Sequence, residues 1–193
     1  MVDPSMSFKQ RKKELLASFA PSHGSAAWRQ VQSHLHKLCR LTDQTLIDLW
    51  SQSELCAPLS LLAVGGYGRG ELFPHSDVDV LVLLPNDCRL DEDDVLRQRI
   101  EKFIGLCWDT GLEIGSSVRT LDECLHESSQ DITIQTSLLE SRHLAGSQEM
   151  SRQFQARYQQ AMDPRAFFVA KTLEMNQRHT KYENTPYSLE PHC

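Results

Sequence analysis

Two aspartates at a spacing of two, Asp77 and Asp79, stand at the head of the apolar run Val78-Asp79-Val80-Leu81-Val82-Leu83-Leu84, which Pro85-Asn86 ends. Such a run reads as a buried strand. Side chains at i and i+2 of a strand share one face, so Asp77 and Asp79 point the same way, with Val78 and Val80 on the other side. Two carboxylates held together repel, and a cation between them removes that cost. Mg²⁺ is the natural occupant, because it takes oxygen ligands, keeps several waters and completes its shell with substrate phosphates. The pair therefore points to metal-assisted chemistry at phosphorus.

A second feature lies just upstream. The apolar run Ser60-Leu61-Leu62-Ala63-Val64 stops at Gly65-Gly66-Tyr67-Gly68-Arg69-Gly70, a strand breaking into a turn. Glycine permits positive φ, and bare backbone N–H groups in succession can cradle phosphate oxygens. Gly65, Gly66 and Gly68 are thus candidate phosphate-binding residues. Arg69 joins them, since a guanidinium pairs with phosphate in a fixed fork. Ser76 either binds a phosphate oxygen or caps the turn before the aspartate strand. Glu71 reads first as a turn residue paired with Arg69 and, as the lesser alternative, as a direct metal ligand. Arg119 and Arg142 either complete the site or hold strand ends by ion pairs. The glycine spacing misses the dinucleotide fingerprint, and no Gly-Lys-Ser/Thr ending marks a P-loop. A hairpin with a Gly- and Asp-rich surface turn would also contain these residue types, but it does not need Ser-Asp-x-Asp on a buried strand.

Helices and strands must position these groups. Residues 6–19 and 24–55 read as helices separated at Pro21 to Gly24, with Leu35, Leu38, Leu46 and Leu49 at helical spacings. Strands at 59–65 and 78–84 precede a helix over 91–110. Its opening Asp91-Glu92-Asp93-Asp94 suits the positive end of the helix dipole better than a metal site. A third strand follows at 112–119, then Thr120-x-x-Glu123 as a capping box. A helix at 131–138, an extended piece at 139–144, and helices at 147–161 and 163–182 complete the chain, with Pro164 acceptable in a first turn. Strands alternating with helices predict an α/β or α+β sheet domain.

Composition narrows the function classes. The 193 residues carry a net charge of −6, which gives no basic footprint and disfavours a nucleic-acid-binding polymerase. Cys39, Cys56, Cys88, Cys107, Cys124 and Cys193 show no C-x-x-C or zinc spacing, and the eight histidines form no i, i+4 pair of a zinc helix. The first residues do not read as a signal peptide, so a reduced, cytoplasmic chain is expected. No apolar run approaches the ~18 residues that indicate a membrane span.

Gly65-Gly66 followed by Asp77-Val78-Asp79 resembles the signature of the nucleotidyltransferase superfamily, which includes polymerase-beta-like enzymes. The longer run Gly-Gly-Tyr-Gly-Arg-Gly-Glu-Leu-x-Pro-x-Ser-Asp-Val-Asp resembles more narrowly the bacterial family of bifunctional PII uridylyltransferase/uridylyl-removing enzymes. Trp108 to Thr120, Asp131 to Gly146 and Tyr187 to Pro191 are similar to further segments of that family, so the resemblance covers roughly residues 60–191. The family often has His where this chain has Ser116.

The resemblance implies an α+β fold, a mixed nucleotidyltransferase sheet with flanking helices and an N-terminal helical lead. The expected division is a helical lead at 1–55, a catalytic core at 56–146 and a C-terminal helical segment at 147–193. It implies Mg²⁺ as cofactor, UTP as donor and a tyrosine of the PII signal-transduction protein as acceptor. It also implies a third carboxylate from a neighbouring strand, with Glu113 and Glu140 as candidates, and downstream HD and ACT domains in a longer parent chain. The alternatives are a catalytically silent nucleotide-binding module and a small-molecule nucleotidyltransferase. The second shares only the short superfamily signature.

Overall fold

The two apolar runs that flank the glycine stretch become neighbouring strands at the centre of one sheet. The computed structural model describes residues 7–18, 25–55 and 58–181. Strands β1 (Ser60–Ala63), β2 (Val78–Leu84), β3 (Ile114–Thr120) and β4 (Arg142–Gly146) lie in the order β3-β2-β1-β4. β1 is antiparallel to β2 and β4, whereas β2 and β3 run parallel. The sheet is therefore mixed, within an α+β fold. Strand β1 ends at Ala63, slightly earlier than the sequence predicts, because the chain turns into helix immediately after Val64.

Strand alternation sorts the apolar side chains onto two covered faces. On one face, Val78, Val80, Val82 and Leu84 of β2 meet α2 (Ser25–Gln52) and α4 (Asp94–Thr110), which contribute Leu38, Leu46, Leu49, Trp50 and Phe103. Trp50 meets the Phe103 ring edge-on at 5.4 Å, a favourable aromatic geometry. On the other face, Leu62, Leu81 and Leu83 pack with α5 (Leu121–Gln130), α6 (Ile132–Leu139) and α7 (Gln148–Ala161), through Cys124, Leu138 and Phe154. The short α1 (Phe8–Ala17) adds Phe8 to the first core, and α8 (Pro164–Lys181) contributes no buried residue.

Local sequence fixes the helix starts. The capping box of α5 forms in full: the Glu123 N–H donates to Thr120 Oγ1, and the Thr120 N–H donates to Glu123 Oε2. Asp93 caps α4 by accepting from the Leu96 N–H at 2.9 Å, and Asp94 pairs with Arg97. The acidic cluster at 91–94 thus serves the helix start. Asp163 likewise accepts from the Arg165 and Ala166 N–H groups beside Pro164. Cys39, Cys88, Cys107 and Cys124 are free thiols. The break at Pro21 to Gly24 and the segment Tyr187 to Pro191 lie outside the described residues. Among the described residues no helix is long and apolar enough to cross a membrane.

Candidate active site

Between β1 and β2 the chain makes a single helical turn, α3 (Gly65–Gly68). Gly65 has φ of +59°, a left-handed conformation that glycine adopts without strain. The turn is tied to β2 because the Val64 N–H donates to the Asp79 carbonyl at 3.0 Å. The glycine turn and the aspartate strand are therefore joined directly by their backbones.

Asp79 is partly buried on the face of β2 that also carries Leu81 and Leu83, and Asp77 lies exposed just before the strand. Burial raises the Asp79 pKa above its ordinary value, and the charge of Asp77 adds to the rise. Neither carboxylate accepts a hydrogen bond or forms an ion pair among the described residues. Two glycines from different elements flank Asp79. A Cβ on Gly65 would lie 3.5 Å from Asp79 Oδ2 and 3.4 Å from Ser137 Oγ, whereas a Cβ on Gly115 would collide with Asp79 Oδ1. Gly115 is paired with Asp79 across the parallel β2–β3 register. The carboxylate thus keeps its place only because its strand neighbour has no side chain.

These residues fit a divalent cation. A partly desolvated carboxylate beside a second one, with no cationic partner, is a charge arrangement that a bound cation stabilises. No group of three His, Cys, Asp or Glu side chains converges among the described residues. Asp77 and Asp79 would accordingly supply two ligands, with water and substrate oxygens completing the shell, as Mg²⁺ ordinarily requires.

The other candidates divide. Arg69 is half exposed and forms ion pairs with Glu140, at 2.5 Å, and with Glu71, at 3.7 Å. This realises the expected Glu71 pairing and engages Glu140. Glu113 is exposed one residue before β3, and its carbonyl accepts from the Val78 N–H at 3.2 Å. Continued by one residue, the strand register places Glu113 beside Asp77. Ser76 is exposed in the turn that its N–H closes on the Phe73 carbonyl, and it lines a hollow of about 130 Å³ shared with Lys12, Thr42 and Glu113. Gly68 is buried, and a Cβ there would collide with the Glu140 carbonyl. Its lack of a side chain is a packing requirement of the turn against the chain entering β4. Arg119 pairs with Glu127 at 2.7 Å, holding β3 to α5.

Arg142 takes the second of its two expected roles, an ion pair at a strand end, but its partner Asp43 was not visible in the sequence. Arg142 reaches Asp43 of α2 through two bonds, Nη1 to Oδ2 at 2.9 Å and Nη2 to Oδ1 at 3.1 Å. Its Nε donates to the Gly68 carbonyl at 3.3 Å, and Nη2 to the Tyr67 carbonyl at 3.4 Å. The buried Tyr67 hydroxyl donates to Asp43 Oδ1 at 2.5 Å, and the Arg142 guanidinium lies 5.4 Å from the Tyr67 ring centre. Burial, and then Asp43, push the Tyr67 phenol pKa far above its usual range. Burial is also the main cause that pushes the Cys39 thiol beside this group up to about 11. Asp43 and Arg142 lie 99 positions apart, and nothing in the sequence around Asp43 marks it as the partner; only the tyrosine inside the glycine run signals an anchored turn.

A family model described as "Nucleotidyltransferase domain" matches residues 45–137, which hold the glycine turn, both aspartates and the β2–β3 pair. The chain carries a nucleotidyltransferase domain. Over 184 residues, 95% of its length, it is 56% identical to the "Bifunctional uridylyltransferase/uridylyl-removing enzyme" of Burkholderia mallei. The same identity and coverage hold for the enzyme so named from Burkholderia thailandensis. The chain spans 20% of the length of these relatives. A solved structure described as "Crystal structure of the toxin-antitoxin with AMP-PNP" is similar at 16% identity and a TM-score of 0.37, covering 74% of this chain and 95% of that one. Asp43, Glu140 and Arg142 flank the matched stretch of the nucleotidyltransferase domain on either side.

Proposed function

We propose that this nucleotidyltransferase domain transfers UMP from UTP to a protein hydroxyl, a tyrosine of a PII signal-transduction protein, and releases pyrophosphate in the cytoplasm. The observation that carries the reading is Asp79: partly buried, next to Asp77, unpaired among the described residues and given room by Gly65 and Gly115. The names of the relatives supply the uridylyl group; the resemblance of the glycine run supplies the PII acceptor.

In this reading Asp77 and Asp79 hold Mg²⁺ as the two protein ligands; of the third carboxylates the resemblance implies, Glu140 is engaged by Arg69 and Glu113 does not converge with the pair. The ion would orient the phosphates and neutralise charge on the departing pyrophosphate. The backbone N–H groups of Gly65 and Gly66 bind phosphate oxygens, and Gly68 shapes the turn that presents them. Arg69 exchanges Glu140 for phosphate, a trade between two oxyanions that its exposed position permits. Ser76 offers a hydroxyl near the start of the aspartate strand. The acceptor hydroxyl attacks the α-phosphorus, a new O–P bond forms, the bond to the β-phosphate oxygen breaks, and the hydroxyl proton leaves to solvent.

The test incubates the purified chain with α-labelled UTP, Mg²⁺ and a PII protein. The expected result is label on a PII tyrosine, lost on chelation of the metal. Mg²⁺-dependent binding of UTP without transfer, even with PII in excess, would instead identify a silent nucleotide-binding module.

A further inference from the structure

Helix α3 is a poor helix by its own composition. Three of its four residues are glycine, which after proline is the residue least favourable to a helix interior. A single turn also carries the full nucleation cost with almost no propagation to offset it. Its conformation must therefore be imposed from outside.

The imposing group is the one centred on Arg142. Its guanidinium donates to the carbonyls of Tyr67 and Gly68, the last two residues of the turn. Asp43 fixes the orientation of that guanidinium through both carboxylate oxygens and accepts from the Tyr67 hydroxyl. Side-chain exposure is 33% for Arg142 and 21% for Asp43, so the bonds are sheltered from full solvent competition. Lysine could not reproduce this arrangement, because a single ammonium lacks the planar fork that spans a carboxylate and two carbonyls. The far end of the same turn carries Gly65 against Asp79, with Gly66 next to it beside Arg69.

We infer that Asp43 and Arg142 are positioning residues: together they hold the glycine turn from its C-terminal side and thereby set the N–H groups of Gly65 and Gly66 for the nucleotide. This rests on the nucleotide-binding reading of the site. Misplacing a binding group by about 1 Å can cost on the order of a hundredfold in rate. A clasp between α2 and β4 thus controls a site that neither residue touches.

The experiment compares the wild-type chain with Asp43→Asn, Arg142→Lys, the double variant, and Phe103→Leu as a core change remote from the turn. Mg²⁺·UTP affinity is measured by titration calorimetry below every variant's unfolding transition. Amide exchange of Gly65 and Gly66 is followed by NMR without nucleotide. Asp43→Asn and Arg142→Lys should each weaken Mg²⁺·UTP binding at least tenfold and speed amide exchange in the turn. The double variant should lose no more than either single one, as expected for groups acting as one unit. Phe103→Leu should lower Tm yet bind within twofold of wild type. Wild-type affinity and unchanged exchange in a folded Asp43→Asn or Arg142→Lys chain would overturn the inference. A wild-type chain that binds no Mg²⁺·UTP would count against the nucleotide reading instead, and the amide exchange would then decide whether the clasp holds the turn.

Discussion

Gly115 stands directly beside Asp79 across the parallel β2–β3 pair, and Asp79 Oδ1 occupies the space that a side chain at Gly115 would fill. Glycine inside a strand often marks such a close approach. In Gly115→Ala the methyl group and the carboxylate compete for one volume, and Asp79 must rotate or β3 must shift. Mg²⁺·UTP affinity and transfer are expected to fall by roughly tenfold to a hundredfold, the scale of a sub-ångström to 1 Å misplacement. Thermal unfolding should change little, because Gly115 is exposed. Equal transfer by a folded Gly115→Ala chain would remove Asp79 from the reacting centre.

Asp79→Asn separates stability from function in the opposite direction. Without a cation, the ionised Asp79 is disfavoured by burial and by Asp77. An amide of the same shape ends the repulsion, so the metal-free chain should unfold about 1–4 °C higher, the shift that up to ~1 kcal/mol gives in a domain of this size. Transfer should drop by on the order of a thousandfold or more, from the loss of a charged metal ligand. A lower Tm together with undiminished transfer would contradict both halves.

The same carboxylate sets a pH dependence. The folded pKa of Asp79 lies above its ordinary 3.8, so between 3.8 and that raised value the folded chain binds more protons than the unfolded one. Stability from this group therefore falls as pH rises through the window, and the cost stands in full above it. The Tm advantage of Asp79→Asn over wild type should shrink as pH is lowered through the raised pKa. Mg²⁺ binding needs the ionised form, so affinity should fall over the same window. A pH-independent difference in Tm between the two chains would show that Asp79 does not titrate in this way.

The sheet and the adjacent aspartates were legible because each depends on short-range pattern. Val78 to Leu84 is apolar without interruption except at Asp79, and Thr120 with Glu123 forms its capping box from four consecutive residues. The Arg142–Asp43 bonds join residues 99 positions apart, and no periodicity in either segment encodes their meeting. Gly115 became readable only once register was known. A parallel pairing shifted by one residue would have set Ile114 or Ser116 beside Asp79 and left no reason for a glycine. Gly68 looked like one more phosphate-cradling glycine because its neighbour, the Glu140 backbone, arrives from a distant strand.

That last contrast predicts that the glycines of a single turn will answer differently to the same methyl group. A Cβ on Gly66 would meet only Arg69 Nη2, at an ordinary 3.6 Å, and Gly66 does not have the positive φ of Gly65. Gly66→Ala should therefore keep or slightly raise Tm, since alanine favours helix by about 1 kcal/mol over glycine. It should still weaken Mg²⁺·UTP binding several-fold, because the new methyl group crowds the N–H that approaches phosphate and the arginine beside it. A Cβ on Gly68 collides with the Glu140 carbonyl, so Gly68→Ala should cost roughly 1–3 kcal/mol, the usual range for overpacking, with loss of binding following from the displaced turn. Thermal unfolding and calorimetric titration of the two variants side by side decide the matter. If Gly66→Ala binds UTP as tightly as wild type while Gly68→Ala remains fully stable, the roles assigned to the two ends of the turn are wrong.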